Sequence, residues 1–219
     1  PGKPISTKKL DYQNITKLVA GYTIKCERKI LKLYSSIFKN IYLCKSIMVA
    51  ETSKIFENIF RAVNIGLVNE MKILTDKMKI NIHDVVEAAG SKPFGFKKFS
   101  PGPGVGGHCI PIDPIFMKWV AKKYKYKTKF IDLGSKMNIQ VTNWTINKIK
   151  KLIKSKKSKK CLILGVSYKA DINDLRESPS LKIFKKLSNL KNVNIDYQDP
   201  YIKSFNFNKK VYFSKKIKN

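Results

Sequence analysis

The spacing of apolar residues predicts helices in the middle of the chain and short strands near its two ends. Between residues 48 and 77, apolar side chains recur every three or four positions without an intervening proline, which predicts one long helix. Four shorter segments have similar spacing, at residues 23–38, 81–89, 113–123 and 130–153. We expect Thr23 to cap the first of these, and Asp113, followed by Pro114, to cap the helix that begins there.

Short apolar runs bounded by glycine, proline or charged residues predict strands. They cover residues 18–20, 41–44, 161–165 and 193–197. One helical segment lies between the first two strands and another between the last two, and the second of these helices is expected to start at Ser178-Pro179. This order predicts parallel strands and therefore an α/β fold. The lysine-rich segment 154–160 predicts a polar linker at a domain boundary.

A polar stripe runs along the predicted long helix. Glu51, Lys54, Asn58 and Arg61 have the i, i+3, i+7 and i+10 spacing that brings side chains to one helical face. By spacing alone, the stripe fits a solvated face with ion pairs. The alternative is a polar wall that lines a binding site.

Lysine dominates the charge of the chain. The sequence has 45 Lys and Arg residues against 15 Asp and Glu residues, a formal net charge of +30, and such an excess is typical of proteins that bind polyanions. The lysines are scattered, however, and arginine, the better reader of bases and phosphates, occurs only at positions 28, 61 and 176. We attribute the excess to compositional bias and a preference for small anions, and expect no nucleic acid partner. No apolar run reaches the length of a membrane-spanning helix, so we expect no membrane partner either.

The chain has four cysteines, Cys26, Cys44, Cys109 and Cys161, and none forms a CxxC pair. This spacing argues against a zinc ribbon, and we expect no metal site. Cys26, Cys44 and Cys161 lie among apolar residues and are expected to be buried. The pattern fits a reducing compartment, so we expect a cytoplasmic location.

Cys109 has different surroundings. Residues 102–114 contain four glycines, three prolines, this cysteine and one carboxylate, Asp113. The glycines let the backbone approach a ligand closely, and a thiol on such a loop is a candidate nucleophile. A cysteine hydrolase is one alternative, but that class needs a histidine base held by a third group. The chain has only His83 and His108, and His108 adjoins Cys109, which is poor geometry for a base.

Three separated blocks resemble the nucleotide-sugar 6-dehydrogenases, the family that includes the UDP-glucose and GDP-mannose dehydrogenases. The first block is AETSKIFEN at 50–58 with RAVNI at 61–65, the second runs from KPFGF at 92–96 to Pro114, and the third combines LGVSYK at 164–169 with DLRESPS at 174–180. Their order and spacing match the family over nearly the whole chain. The wording KPFGF and GHCIPIDP is most similar to the branch that oxidises UDP-N-acetylhexosamines, particularly the UDP-N-acetylglucosamine 6-dehydrogenases.

The resemblance implies three domains. Residues 1–45 are expected to be the end of an NAD-binding Rossmann domain, 46–156 a central helical dimerisation domain with the cysteine loop, and 157–219 a partial, Rossmann-like UDP-binding α/β domain. The resemblance also implies NAD as cofactor, a UDP-sugar as substrate and a homodimer built on the long helix. The sequence has no GxGxxG after a strand, and a glutamate and a threonine that assist catalysis in relatives have no counterpart in it. We therefore expect the chain to be cut from a longer protein and to be inactive by itself.

The family oxidises a primary alcohol to a carboxylate in two steps, so the resemblance implies a covalent role for Cys109, first as a thiohemiacetal and then as a thioester. It assigns oxyanion stabilisation and proton transfer to Lys54, a water-holding role to Asn58 and base chemistry to Asp113. The residues that it assigns to substrate binding are Lys54, Asn58, Lys92, Ser100, Pro101, Gly102, Pro103, Gly104, Val105, Gly106, Tyr168 and Lys169. Those that it assigns to the cofactor are Cys109, Ile110 and Arg176.

Other functions stay open at this point. UDP-glucose and GDP-mannose are alternative substrates, because the group at C2 and the configuration of the sugar are read by pocket shape. A basic polyanion-binding module without catalysis is an alternative of a different class. An inactive relative is a third, although the retained Lys54, Asn58, Cys109 and Asp113 argue against it.

Overall fold

The computed structural model describes residues 12–154, 160–191 and 193–216. The chain divides into two units, one ending at Asn58 and the other beginning at Ile59, and the boundary falls inside a long helix. Helices and parallel strands occur together, which is the α/β class that the sequence predicts. Most of the predicted linker, residues 155–159, lies outside the described residues.

The first unit contains two parallel strands and the helix that connects them. A 3₁₀ turn (Tyr12–Asn14) is followed by β1 (Lys17–Val19), α1 (Ile24–Ser35) and β2 (Ile41–Leu43). Lys17 is the register partner of Ile41. The Thr23 hydroxyl accepts a hydrogen bond of 3.2 Å from the Cys26 N–H, which satisfies one of the free donors at the start of α1, as predicted.

The predicted burial of three cysteines is wrong for Cys26. Cys44 is buried and Cys161 is half-buried, but Cys26 is exposed. No residue of α1 is buried, so the apolar residues around Cys26 do not enclose it. The hydrogen bonds with Thr23 lower the pKa of Cys26, because they stabilise its thiolate.

The second unit begins within the longest helix and continues with three more. They are α2 (Ile47–Lys77), α3 (Ile82–Ala89), α4 (Asp113–Lys123) and α5 (Phe130–Lys154). Two glycines let α2 and α5 touch through their backbones, because a Cβ on Gly66 would lie 2.9 Å from the carbonyl oxygen of Gly134. None of the described helices is both long and apolar enough to cross a membrane.

The C-terminal part of this unit is a small α/β structure. Its elements are β3 (Lys160–Leu164), α6 (Pro179–Ser188), β4 (Asn194–Gln198), β5 (Ser204–Phe207) and β6 (Lys210–Phe213). β3 and β4 are parallel, whereas β5 and β6 form an antiparallel hairpin that the sequence analysis did not predict. The Ser178 hydroxyl accepts a hydrogen bond from the Leu181 N–H and so caps α6, as predicted.

Aromatic rings hold this α/β structure together. Phe184 of α6 is fully buried, and its ring meets those of Tyr197, Phe205 and Tyr212 edge to face, with centroids 6.0, 5.1 and 4.9 Å away. Ile146 of α5 belongs to the same cluster. α5 therefore shares a hydrophobic core with the α/β structure, whereas Val68 of α2 packs with Ile82 and Val86 of α3 in a separate cluster.

Candidate functional site

Cys109 lies where the glycine-rich segment turns into a helix. Its carbonyl oxygen accepts hydrogen bonds from the N–H groups of Ile112 at 3.0 Å and Asp113 at 2.8 Å, so a helical turn precedes α4. The expected cap at Asp113 is wrong, because Asp113 is the first residue of α4 and Ile112 before it is already helical. The N–H groups of Ile115 and Phe116, which a cap at Asp113 would bind, donate to the Ile112 carbonyl instead. Cys109 and Asp113 are held one turn apart.

Three glycines of the loop have neighbours too close for a side chain. A Cβ on Gly104 would lie 2.5 Å from Thr142 Oγ1, and Cβ atoms on Gly106 and Gly107 would lie 2.7 Å from atoms of Tyr168. Gly104 and Gly107 also have positive φ angles of 136° and 88°, a conformation that favours glycine. The loop therefore needs glycine at these positions to fit between α5 and the segment that carries Tyr168.

Backbone hydrogen bonds tie the loop to that segment. The Gly107 N–H donates to the Arg176 carbonyl at 2.9 Å, and the Tyr168 N–H donates to the Asp174 carbonyl at 3.0 Å. Tyr168 and Arg176, which are far from Cys109 in sequence, are therefore close to its loop in space. The sequence analysis selected both residues only through the family resemblance.

A buried pair of amides holds the start of the loop. Asn69 of α2 accepts a hydrogen bond of 2.9 Å from the Gly102 N–H and donates one of 3.0 Å to Asn138 of α5. Asn138 in turn donates to the Ala62 carbonyl at 2.8 Å. Asn69 is fully inaccessible to solvent. The sequence analysis missed both asparagines, although polar residues within the apolar stripes of two helices are a signal for such a role.

Two N–H groups of the loop donate to other parts of the protein, so fewer are left for the phosphate contacts that we expected of this loop. The N–H of Gly102 binds Asn69 and that of Gly107 binds Arg176, while the Pro103 carbonyl accepts from Thr142 at 2.6 Å. Among the described residues, no acceptor faces the N–H groups of Gly104, Val105 and Gly106. These three donors are the part of the loop available to an anion.

Arg176, whose carbonyl binds the loop at Gly107, forms an ion pair with Asp174. Nε and Nη2 of Arg176 donate to Asp174 Oδ2 at 2.9 and 2.6 Å. These hydrogen bonds hold the pKa of the Asp174 carboxyl below its usual value and raise the pKa of Arg176. The charge of His108 adds a smaller lowering of the Asp174 pKa, and that of Cys109 a smaller raising of the Arg176 pKa. The loop and the ion pair therefore share one electrostatic environment.

A second carboxylate, Asp199, binds the backbone just before Tyr168. The sequence analysis missed this residue. One of its oxygens accepts from the N–H groups of Val166 and Ser167 at 2.8 and 3.1 Å, and the other from those of Tyr201 and Ile202 at 2.9 and 3.0 Å. Burial alone would raise the pKa of Asp199, but the four N–H donors outweigh it and keep the pKa low. An acid at the carboxyl end of a predicted parallel strand was the available signal.

A cavity of about 310 Å³ lies on another side of the loop. Val105, Ile110, Ile115 and Pro179 line it together with Lys182, and Cys109 does not. Its walls are mostly apolar. Ile110, expected to contact the cofactor, thus faces this cavity.

The remaining predicted residues lie elsewhere in the chain. Lys54 and Asn58 belong to the first unit, one turn apart on α2: Asn58 is buried, whereas Lys54 is exposed and its Nζ lies 3.4 Å from a carboxylate oxygen of Glu57. Lys92 lies on an exposed segment after α3, and Lys169 is exposed beside Tyr168. Pro101 is buried and Ser100 half-buried at the start of the loop. The structure thus brings together the loop, Cys109, Asp113, Tyr168 and Arg176.

Sequence models of two domains from one family match the chain. The central domain of the UDP-glucose/GDP-mannose dehydrogenase family matches residues 48–140, and the UDP binding domain of that family matches residues 162–219. Together they cover more than half of the chain. The chain belongs to the UDP-glucose/GDP-mannose dehydrogenase family. The predicted family is therefore confirmed. The central-domain match begins within α2 and ends within α5, and the match of the UDP binding domain begins within β3.

Individual members of the family are similar over most of this chain. UDP-N-acetyl-D-mannosamine dehydrogenase of Campylobacter jejuni is 36% identical over 187 residues, which are 85% of this chain and 45% of the relative. UDP-N-acetyl-D-glucosamine 6-dehydrogenase of Salmonella typhi is 34% identical over 200 residues, 89% of this chain and 46% of the relative. The structure of UDP-D-ManNAc dehydrogenase from Pyrococcus horikoshii is similar with a TM-score of 0.75 and 30% identity, over 86% of this chain and 45% of that one. The chain thus spans less than half the length of these relatives.

Proposed function

We propose that the full-length protein carrying this sequence oxidises the C6 hydroxyl of a UDP-N-acetylhexosamine to a carboxylate, with NAD as oxidant and Cys109 as covalent nucleophile. The main support is the contact between the Cys109 loop and the Tyr168–Arg176 segment, which belongs to the part of the chain that matches a UDP binding domain. A nucleotide held by that segment would place its sugar beside the thiol. Relatives named for UDP-N-acetylmannosamine and UDP-N-acetylglucosamine support this substrate class.

The charge of Arg176, which lies near the Cys109 loop, suits the binding of NAD. Arg176 presents a guanidinium whose side chain is 61% exposed, and Asp174 fixes its direction. A cation of this kind suits the negatively charged diphosphate of NAD. When bound, NAD supplies the two-electron acceptor for each of two oxidations at C6. Cys109, Ile110 and Arg176 are the residues of this chain that we assign to it.

The cysteine has a defined task in this chemistry. The Cys109 thiolate adds to the aldehyde carbon formed by the first oxidation, a C–S bond forms, and the aldehyde oxygen takes up a proton to give a thiohemiacetal. After the second oxidation, the same sulfur carries a thioester. Water then adds to the thioester carbonyl, the C–S bond breaks, and the carboxylate leaves as the thiol is restored. Covalent capture keeps the aldehyde from escaping between the two oxidations.

The family resemblance assigns supporting roles to three further residues. Lys54 stabilises the oxyanion that develops at the substrate oxygen and assists proton transfer, and Asn58 holds the attacking water. Asp113, one helical turn from Cys109, supports the base chemistry around the thiol. Each of these roles is part of the proposal.

Binding of the UDP-sugar uses charge and backbone donors. The N–H groups of Gly104, Val105 and Gly106 are available to phosphate oxygens, and we assign Tyr168 and Lys169 to the nucleotide on the family resemblance. We assign the preceding loop residues, Ser100 to Pro103, to the same substrate site, and Lys92 adds a positive charge for the phosphates. The sugar could also be that of UDP-glucose or GDP-mannose, which the assay below compares directly.

We further propose that the full-length protein is a homodimer in the cytoplasm. On α2, Leu67 and Leu74 are exposed at 58% and 49%, and Met78 directly after the helix is exposed at 55%. Large exposed apolar faces usually mark an interface. The four free cysteines suit a reducing compartment. Sedimentation of the full-length protein tests the dimer.

The first experiment measures NADH formed per sugar consumed. The full-length protein is mixed with NAD and UDP-N-acetylglucosamine, UDP-N-acetylmannosamine, UDP-glucose or GDP-mannose in parallel. Two NADH per sugar are expected with a UDP-N-acetylhexosamine and no more than one with Cys109→Ala, because the aldehyde forms before the thiol acts. Absence of NADH with all four sugars, or full activity of Cys109→Ala, would contradict the proposal. The 219-residue chain alone is expected to give no NADH, since it has no glycine fingerprint for NAD.

A further inference from the structure

The structure connects a buried carboxylate to the reactive loop through one short segment, residues 166–178. We propose that Asp199 is a positioning residue for Cys109: it fixes this segment, and the segment fixes the two glycines that precede the thiol. The inference rests on the proposed function only in taking Cys109 as the nucleophile. Its physical part, the control of the thiol's environment by Asp199, is independent of substrate and cofactor.

The first step is the attachment of the segment to Asp199. The carboxylate is 5% exposed, and one of its oxygens accepts from both Val166 and Ser167, at 2.8 and 3.1 Å. The other oxygen accepts from Tyr201 and Ile202, so four backbone N–H groups donate to the carboxylate, and the Ser167 hydroxyl lies 3.4 Å from the first oxygen. Only a group that accepts on both sides satisfies them. Asparagine has the same shape, but its NH₂ would face two of the donors.

The second step is the closure of the segment on itself. The Ser178 hydroxyl donates to the Val166 carbonyl at 2.6 Å, which joins the end of the segment to its beginning. The Tyr168 N–H donates to the Asp174 carbonyl at 3.0 Å. Ser178 is buried, with 1% of its surface accessible. Fixing Val166 and Ser167 therefore fixes the position of Tyr168 and of the ion pair at Asp174.

The third step is the contact with the loop. Tyr168 occupies the space where Gly106 and Gly107 would carry side chains, and the Arg176 carbonyl accepts the Gly107 N–H at 2.9 Å. One residue, His108, separates Gly107 from Cys109. A shift of the segment would therefore be passed to the thiol through Gly107.

The test compares Asp199→Asn with Asp196→Asn in the 219-residue chain. Asp196 lies on β4, three residues before Asp199, but it is partly exposed and its carboxylate is 3.6 Å from Lys215. Each variant is treated with iodoacetamide under native conditions, and alkylation is followed for each cysteine by peptide mass spectrometry. The exposed Cys26 is the internal reference. Each net hydrogen bond that is lost corresponds to about a fivefold change, and the NH₂ group of asparagine would face two donors. We therefore expect Cys109 to be alkylated at least about five times faster in Asp199→Asn and at the wild-type rate in Asp196→Asn.

The half-buried Cys161 of β3 separates positioning from simple destabilisation. If Asp199→Asn accelerates the alkylation of Cys161 as much as that of Cys109, Asp199 acts on stability alone and the proposal is wrong. It is also wrong if the folded variant alkylates Cys109 at the wild-type rate. Should Asp199→Asn not fold, Tyr168→Ala removes the contact with Gly107 and leaves the Asp199 hydrogen bonds in place. It is expected to accelerate Cys109 selectively, and an unchanged rate would overturn the inference.

The activity of the full-length Cys109→Ala variant separates this inference from the proposed function. Retained activity would remove Cys109 from the chemistry while the alkylation result for Asp199→Asn stood. Loss of activity in Cys109→Ala, combined with unchanged alkylation in Asp199→Asn, would keep the reaction and remove the positioning role.

Discussion

Replacing Gly107 by alanine probes the contact on which the candidate site depends. The new Cβ would lie 2.7 Å from Cε2 and 3.1 Å from Cδ2 of Tyr168, too close for atoms that are not bonded. Gly107 also has a φ of 88°, which alanine rarely adopts. Two separate penalties, one of backbone conformation and one of packing, thus act at one position.

Two other glycines separate these penalties. Gly95 has a φ of 79°, but a Cβ there would have no neighbour within 4 Å, so Gly95→Ala has the conformational penalty alone. Gly106 has its clash, at 2.7 Å from Tyr168 Cβ, without a positive φ. Left-handed backbone costs about 1–2 kcal/mol for alanine, and overpacking about 1–3 kcal/mol. We therefore expect losses of about 1–2 kcal/mol for Gly95→Ala, about 1–3 for Gly106→Ala and about 2–5 for Gly107→Ala.

Urea unfolding of the 219-residue chain, followed by circular dichroism, measures these losses. The smaller unfolded-state entropy of alanine favours all three variants similarly and cancels when they are compared. Adding Tyr168→Ala removes the ring, so in that background Gly107→Ala should cost no more than Gly95→Ala. If Gly107→Ala and Gly95→Ala cost the same in the wild-type background, Tyr168 does not restrict the loop and the reasoning fails.

Two further predictions concern the core and the buried acid. Phe184→Ala removes the ring at the centre of the aromatic cluster and should cost about 3–5 kcal/mol in urea unfolding; a loss below about 1 kcal/mol would show that the cluster does not hold the α/β structure. The pKa of Asp199 is lower in the folded than in the unfolded chain, so its ionised form stabilises the fold above the unfolded value of about 3.9, and this contribution is lost as the pH falls below that. Unfolding measured from pH 6 down to pH 3 should therefore show a steeper loss for the wild type than for Asp199→Asn, and equal slopes would contradict the role of its charge.

The elements that the sequence predicts are those governed by local chemistry. Thr23 and Ser178 cap helices through bonds to residues three positions away, and the apolar spacing of residues 48–77 yields α2. The β5–β6 hairpin escaped prediction because its turn, Asn208-Lys209, has positive φ at both residues without glycine. Such a turn usually contains Asn-Gly or Asp-Gly, so the strongest hairpin signal was missing.

The candidate site was predictable only in part, because its supports join residues far apart in sequence. The loop composition identified Cys109, but the Gly102–Asn69 bond spans 33 positions, as does the bond from Val166 to Asp199. In the hydrophobic periodicity of a sequence, a buried asparagine or aspartate is only an exception to the pattern. The pattern does not predict which residue will form a hydrogen bond with it. Such partners follow from the assembled fold.

These buried polar groups select the loop conformation together with the packing around them. A leucine at position 69 would continue the apolar stripe of α2, yet it would leave the buried Gly102 N–H without its acceptor, at a cost of about 1–3 kcal/mol. The side-chain oxygen of Asn138 would at the same time lose the hydrogen bond that the NH₂ group of Asn69 donates to it. The apolar residues bring α2 and α5 together, whereas Asn69 makes that packing favourable only when the loop lies in one position. Asp199 acts in the same way on residues 166–178, because the N–H groups of Val166 and Ser167 depend on its carboxylate for an acceptor.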